Sequence, residues 1–136
     1  TTPMVARGAI YADIDHDGDL DILFTNNAGP ARLFRNDGGN KNHWLCVKTV
    51  GSKSNRDGIG AVVRIESAGG KQWSAVRSGS SYASQSDLAL TFGLGKDTTV
   101  TSISVEWPSG TKQSFKNIAA NKLVTIDEAK GIVSQQ

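Results

Sequence analysis

Nine residues near the start of the chain carry its densest chemistry: Asp13-Ile14-Asp15-His16-Asp17-Gly18-Asp19-Leu20-Asp21. Five carboxylates fall at alternate positions around one glycine, with no Lys or Arg among them. Like charges packed this closely repel one another, and a hard cation placed among them removes the repulsion. Ca²⁺ takes about six to eight oxygen ligands, and a loop with carboxylates at positions 1, 3 and 5 and Gly at 6 can wrap around it. The spacing therefore predicts Ca²⁺ as the cofactor. Asp13, Asp15 and Asp17 are expected to ligate through their side chains, and Asp21 to close the loop at position 9. Asp19 is expected to offer its backbone carbonyl with its side chain turned outward, while Gly18 allows the sharp turn. His16 falls at a non-ligating position and reads as a surface residue. The competing reading is a solvated acidic turn, with Asp and Gly chosen for turn chemistry alone.

The elements on either side decide what kind of loop this is. An EF-hand needs Glu at position 12, where this chain has Phe24, and a helix on each side. The flanks are instead Ala9-Ile10-Tyr11-Ala12 and Ile22-Leu23-Phe24-Thr25, rich in β-branched and aromatic residues, which predicts a loop between two strands. Period-two patterning continues down the chain, with candidate strands at 9–13, 21–25, 31–35, 43–50, 60–67, 71–77, 88–92, 100–107, 112–116 and 122–127. Clusters of Asn, Asp, Gly, Ser and Pro separate them. Thr101, Ile103, Val105 and Trp107 alternate with Ser102, Ser104 and Glu106, the pattern of a half-buried antiparallel strand. The one helical candidate, 117–121, amounts to a turn. The fold class expected is all-β: an antiparallel β-sandwich over residues 41–136, preceded by a three-stranded piece over residues 1–40. Three strands bury little by themselves. The first piece is therefore expected to expose an unpaired strand edge, and either to pair with a second copy as a homodimer or to dock elsewhere.

Composition narrows the partners. The 136 residues carry a formal charge of +2, which leaves +7 outside the acidic loop. Those cations are scattered and form no run, so nucleic acid is not expected as a partner. One cysteine, Cys46, permits no internal disulfide, and with only His16 and His43 beside it a zinc site is short of ligands. No apolar run approaches the roughly 20 residues that span a bilayer. There is no signal peptide and the chain opens at Thr1 rather than Met, so it reads as an excised piece whose missing targeting signals say nothing about the parent protein.

Two resemblances attach to these stretches. Residues 8–36, with the acidic loop followed by Leu33-Phe34-Arg35-Asn36, resemble an FG-GAP/VCBS-type repeat, which implies a partial β-propeller blade that binds Ca²⁺ in the loop between two strands. Residues 42–127 resemble the ASPIC/UnbV domain. They do so through Asn42-His43-Trp44-Leu45, Ser54-Asn55-Arg56-Asp57-Gly58-Ile59-Gly60-Ala61, Arg77-Ser78-Gly79-Ser80-Ser81-Tyr82, Ser84-Gln85-Ser86-Asp87, Phe92-Gly93-Leu94-Gly95 and Trp107-Pro108-Ser109-Gly110. This second resemblance implies an extracellular, secreted or cell-surface setting and no established catalytic activity.

Other residues invite binding readings. Trp107 shares an apolar face and Trp44 opens a hydrophobic strand, so both read as core. Trp73 sits in the polar run Gly70-Lys71-Gln72-Trp73-Ser74 and is the tryptophan suited to be a ligand platform. Ser80, Tyr82 and Gln85 belong to a hydroxyl-rich segment that either recognises a ligand or caps its own backbone. Ser-His-Asp catalysis finds no nucleophile-elbow motif. The function expected is a non-enzymatic, calcium-binding module for adhesion or protein–protein assembly within a larger surface or secreted protein. The alternative is carbohydrate binding through Trp73 and the 78–87 loop. The partners implied are a protein or glycan at the cell surface.

Overall fold

The computed structural model describes residues 3–136. Its strands are β1 (Ala6–Ala12), β2 (Asp21–Asn26), β3 (Arg32–Phe34), β4 (His43–Val50), β5 (Val62–Ser67), β6 (Gly70–Ala75), β7 (Leu90–Gly95), β8 (Thr99–Glu106), β9 (Lys112–Ala119), β10 (Lys122–Asp127) and β11 (Gly131–Gln135), with one 3-10 turn at Gly39–Lys41. The protein is all-β, built from three sheets. Two compact units are distinguished: residues up to Asn40 together with Ser78–Asp87, and Lys41–Arg77 together with Leu88–Gln136.

In the first unit β1, β2 and β3 form an antiparallel meander. Ala12 pairs with Asp21, so the acidic loop is the β1–β2 connection. The outer edge of β1 is not open along its length, whereas β3 is the other edge of the sheet. The Ala9 and Tyr11 amides donate to the Ser81 and Ser86 hydroxyls, and the Asp87 amide donates to the Tyr11 carbonyl. Backbone groups at a strand edge need partners, and the 78–87 segment supplies them from 72 and 75 residues downstream.

In the second unit two four-stranded sheets, β11-β10-β4-β7 and β6-β5-β8-β9, contribute to one core. Leu45, Val47, Phe92, Val124 and Ile126 come from the first sheet and Val63, Ile65, Val100, Ile103 and Val105 from the second, all nearly inaccessible to solvent. Trp107 is buried with them, and its indole N–H donates to Gln113. The expectation of wholly antiparallel pairing fails at one ladder, where β4 and β10 run parallel. A parallel pair needs a long crossover, and here the other sheet's strands lie between the two in sequence. Alternation in β8 also breaks once. Val100 is buried and Thr101 exposed because the register against β5 shifts between Glu66 and Ser67. In the facing strand Asn117 adopts a left-handed φ of 56°, so the 117–121 segment is the end of β9 and a turn rather than a helical turn.

Candidate functional site

The acidic loop is organised by its own carboxylates. Asp13 follows the last residue of β1 and accepts the amides of Asp17 (3.1 Å) and Gly18 (3.0 Å), one on each oxygen. Asp17 in turn accepts the Asp19 amide at 3.1 Å. These bonds fold the loop back on itself, which requires φ of 98° at Gly18 and 59° at His16. Glycine takes that angle freely, and His16 is held there by the bonds on both sides. The result draws carboxylate oxygens of Asp13, Asp15 and Asp17 within 4.8 Å of one another. The Arg35 guanidinium lies 2.6 Å from Asp37 and 4.0 Å from Asp15. Its bond to Asp37 pushes its pKa up, so it stays a cation at the rim.

Asp19 and Asp21 lie outside that group of three. Asp19 is buried, and its carboxylate accepts the Gly39 amide at 2.9 Å. The expected outward side chain is therefore corrected: the carboxylate points into the unit and ties the loop to the 3-10 turn. Asp21 is 1% exposed and accepts Ile14 N–H (3.1 Å) and Asn36 N–H (2.8 Å). It braces the loop at its base. The donor set of Asp13, Asp15 and Asp17 is all oxygen and partly open to solvent, which fits a hard cation such as Ca²⁺ rather than zinc. A carboxylate oxygen that accepts one amide keeps a second lone pair for a metal.

The other candidates separate. Trp73 is 63% exposed on β6 in the second unit, whereas Ser80, Tyr82 and Gln85 belong to the first. Ser80 bonds Ser86, and Gln85 bonds the Gly79 amide and the Ser86 carbonyl, so these side chains are spent within the loop. Tyr82, 74% exposed, lines a shallow depression with Ala6 and Arg7.

A buried carboxylate absent from the sequence reading organises the second unit. Glu128, just after β10, accepts the amides of Ser52 (2.8 Å), Lys53 (2.7 Å) and Ser54 (2.7 Å) on one oxygen. The Ser54 and Ser109 hydroxyls donate to the other. Burial pushes this carboxyl up, but the Ser109 hydroxyl and the three amides outweigh it and hold the pKa at about 2. Three successive N–H groups converging on one point make an anion nest, and the protein fills it with its own glutamate. Gln113 extends the network by donating to the Asp127 and Glu128 carbonyls. Nearby, the Asn55 amide closes the turn onto Ile59 in both directions, at 2.7 and 2.8 Å. The segments so joined overlap the motif stretches 54–61 and 107–110 of the sequence; a lone Glu beyond a strand gave no comparable signal.

Residues 51–133 match the family model described as ASPIC and UnbV. The chain is 31% identical over 125 residues to cartilage acidic protein 1 of Homo sapiens, an alignment covering 89% of this chain and 18% of that protein. It is 34% identical over 107 residues to cartilage acidic protein 1 of Xenopus tropicalis, covering 76% of this chain and 16% of that protein. The chain thus spans less than a fifth of the length of these relatives. The matched residues run from the Glu128 nest at Ser52 through β5 to β10 and into β11, with β4 outside the match, and on that match the chain belongs to the ASPIC and UnbV family.

Proposed function

We infer that this chain is a non-catalytic β module whose first unit is stabilised by Ca²⁺, working in adhesion or protein–protein assembly within a larger secreted or cell-surface protein. The observation that carries the reading is the Asp13, Asp15 and Asp17 cluster at the β1–β2 turn. Three carboxylates this close cost about 1 kcal/mol per pair even at the dielectric of water, and Arg35 reaches only one of them. A divalent cation removes that cost and locks β1 against β2. On this reading the three-stranded sheet is a blade of the FG-GAP/VCBS type and the second unit is a β-sandwich. The free edge of the blade is β3, where Leu33 and Phe34 are half exposed, and β3 is where a second copy would pair. The name of the cartilage relatives supports an extracellular setting.

Thermal unfolding in chelator and in millimolar Ca²⁺ tests the reading. Ligand binding to the folded state alone adds RT ln(1 + [L]/Kd), about 2.7 kcal/mol at a hundredfold excess over Kd. The expected outcome is a transition raised by several degrees in Ca²⁺, with no shift in the double variant Asp15→Asn, Asp17→Asn. An unchanged transition in the parent chain sinks the reading. Esterase and glycosidase substrates are expected to show no turnover.

A further inference from the structure

The outer face of the β6-β5-β8-β9 sheet has the composition of a ligand platform. Trp73 on edge strand β6 lies directly opposite Arg64 on β5, and Lys71 opposite Glu66. With Ser102 and Ser104 of β8 they line a shallow groove of about 260 Å³. The register explains its shape. Ser104 is paired with Arg64 and Ser102 with Glu66, so the tall side chains of β5 and β6 give way to hydroxymethyl groups on the next strand. Large side chains wall the groove and small polar ones floor it.

Two features of this groove point to one kind of occupant. An indole left 63% exposed offers a flat apolar face that water solvates poorly, with its N–H as a polar handle. The carboxylates around it are engaged by cations: Glu106 is shared by Arg64 at 3.3 Å and Lys112 at 3.4 Å, and Glu66 meets Lys71 at 3.4 Å. Such contacts set donors beside acceptors. The complement is a molecule with a flat C–H face and a rim of groups that both donate and accept. A pyranose ring has that form. A polyanion would meet Glu66 and Glu106 and would have to break existing pairs.

We propose that this groove binds a neutral polysaccharide, with a sugar ring stacked on Trp73 and its hydroxyls bonded to Arg64, Glu66, Lys71, Ser102 and Ser104. The site is separate from the calcium loop and from the 78–87 segment. It does not rest on the calcium reading.

Affinity electrophoresis of the 136-residue chain in gels containing xylan, β-glucan or galactomannan, with chondroitin sulfate as the anionic arm, tests the site. The expected result is retardation by at least one neutral polymer that persists in 0.5 M NaCl. Trp73→Ala should weaken it at least tenfold, as should Ser104→Tyr, which fills the floor and leaves the indole in place. Tryptophan emission should shift to the blue on binding, because Trp107 is already buried and Trp73 is the exposed indole. Unchanged far-ultraviolet circular dichroism establishes that both variants fold. Three results overturn the proposal: no retardation by any neutral polymer, retardation indifferent to Trp73→Ala, or retardation by chondroitin sulfate alone that vanishes in salt.

Discussion

Single residues here act mainly by satisfying backbone groups that the fold strands in loops. Glu128 is the clearest case, because five donors from two segments meet on one carboxylate. Its folded pKa of about 2 lies below its ordinary value of 4.5. A depressed carboxylate contributes stability that is fully present above its unfolded pKa and lost as pH falls toward the folded one. Acid unfolding of the second unit should therefore steepen between about pH 4.5 and 2. Glu128→Gln is expected to lower the melting temperature at pH 7 and to flatten the pH dependence in that window, as read by thermal scans across pH. Gly58 is a second such position, with φ of 68°. A Cβ there would stand 2.8 Å from Cβ of Thr49 and 3.1 Å from the Trp107 ring. Gly58→Ala combines a left-handed backbone with overpacking and should cost about 2–4 kcal/mol in chemical denaturation.

Strands were the legible elements, and the reason is physical: a sheet with one buried face writes period two into the sequence. Ranges such as 43–50 and 122–127 appear in the structure as β4 and β10. What period two cannot carry is pairing direction, so the parallel β4–β10 ladder was invisible. It also fails on a short edge strand after a tight hairpin. β11, with only Ile132 and Val133 as apolar residues, was missed for that reason. The acidic loop was legible as a cluster, because spacing in sequence becomes spacing in space within one turn. The inward turn of Asp19 was not, since its partner Gly39 lies 20 residues away. The 78–87 segment makes the same point. Nothing local says that Ser86, buried, receives the Tyr11 amide and pairs with Ser80. Ser86→Ala should leave that amide without its acceptor, cost about 1–2 kcal/mol, and speed hydrogen exchange at Tyr11.

At the scale of the whole molecule, the two units hold themselves together by different physics. The second has a dense apolar core drawn from both of its sheets. The first relies on polar capping, carboxylate braces and the edge-to-face packing of Phe24 on Phe34 at 5.8 Å. Three strands with little buried apolar surface sit at the low end of local stability, and a bound cation has most to contribute there. Hydrogen exchange in chelator and in Ca²⁺ should therefore divide along the units. Protection should rise on adding Ca²⁺ at the amides of β1 and β2, and also at Asp87, because its N–H is bonded to Tyr11. Amides of Val47, Val63 and Val105, each fully or almost fully buried in the second core, should exchange at the same slow rate in both conditions. In Asp15→Asn, Asp17→Asn the first set should already be more protected in chelator than in the parent chain, since carboxylate repulsion is gone, and should not respond to Ca²⁺. A Ca²⁺ response spread evenly over both units, or one that survives the double substitution, would place the ion somewhere other than the β1–β2 loop.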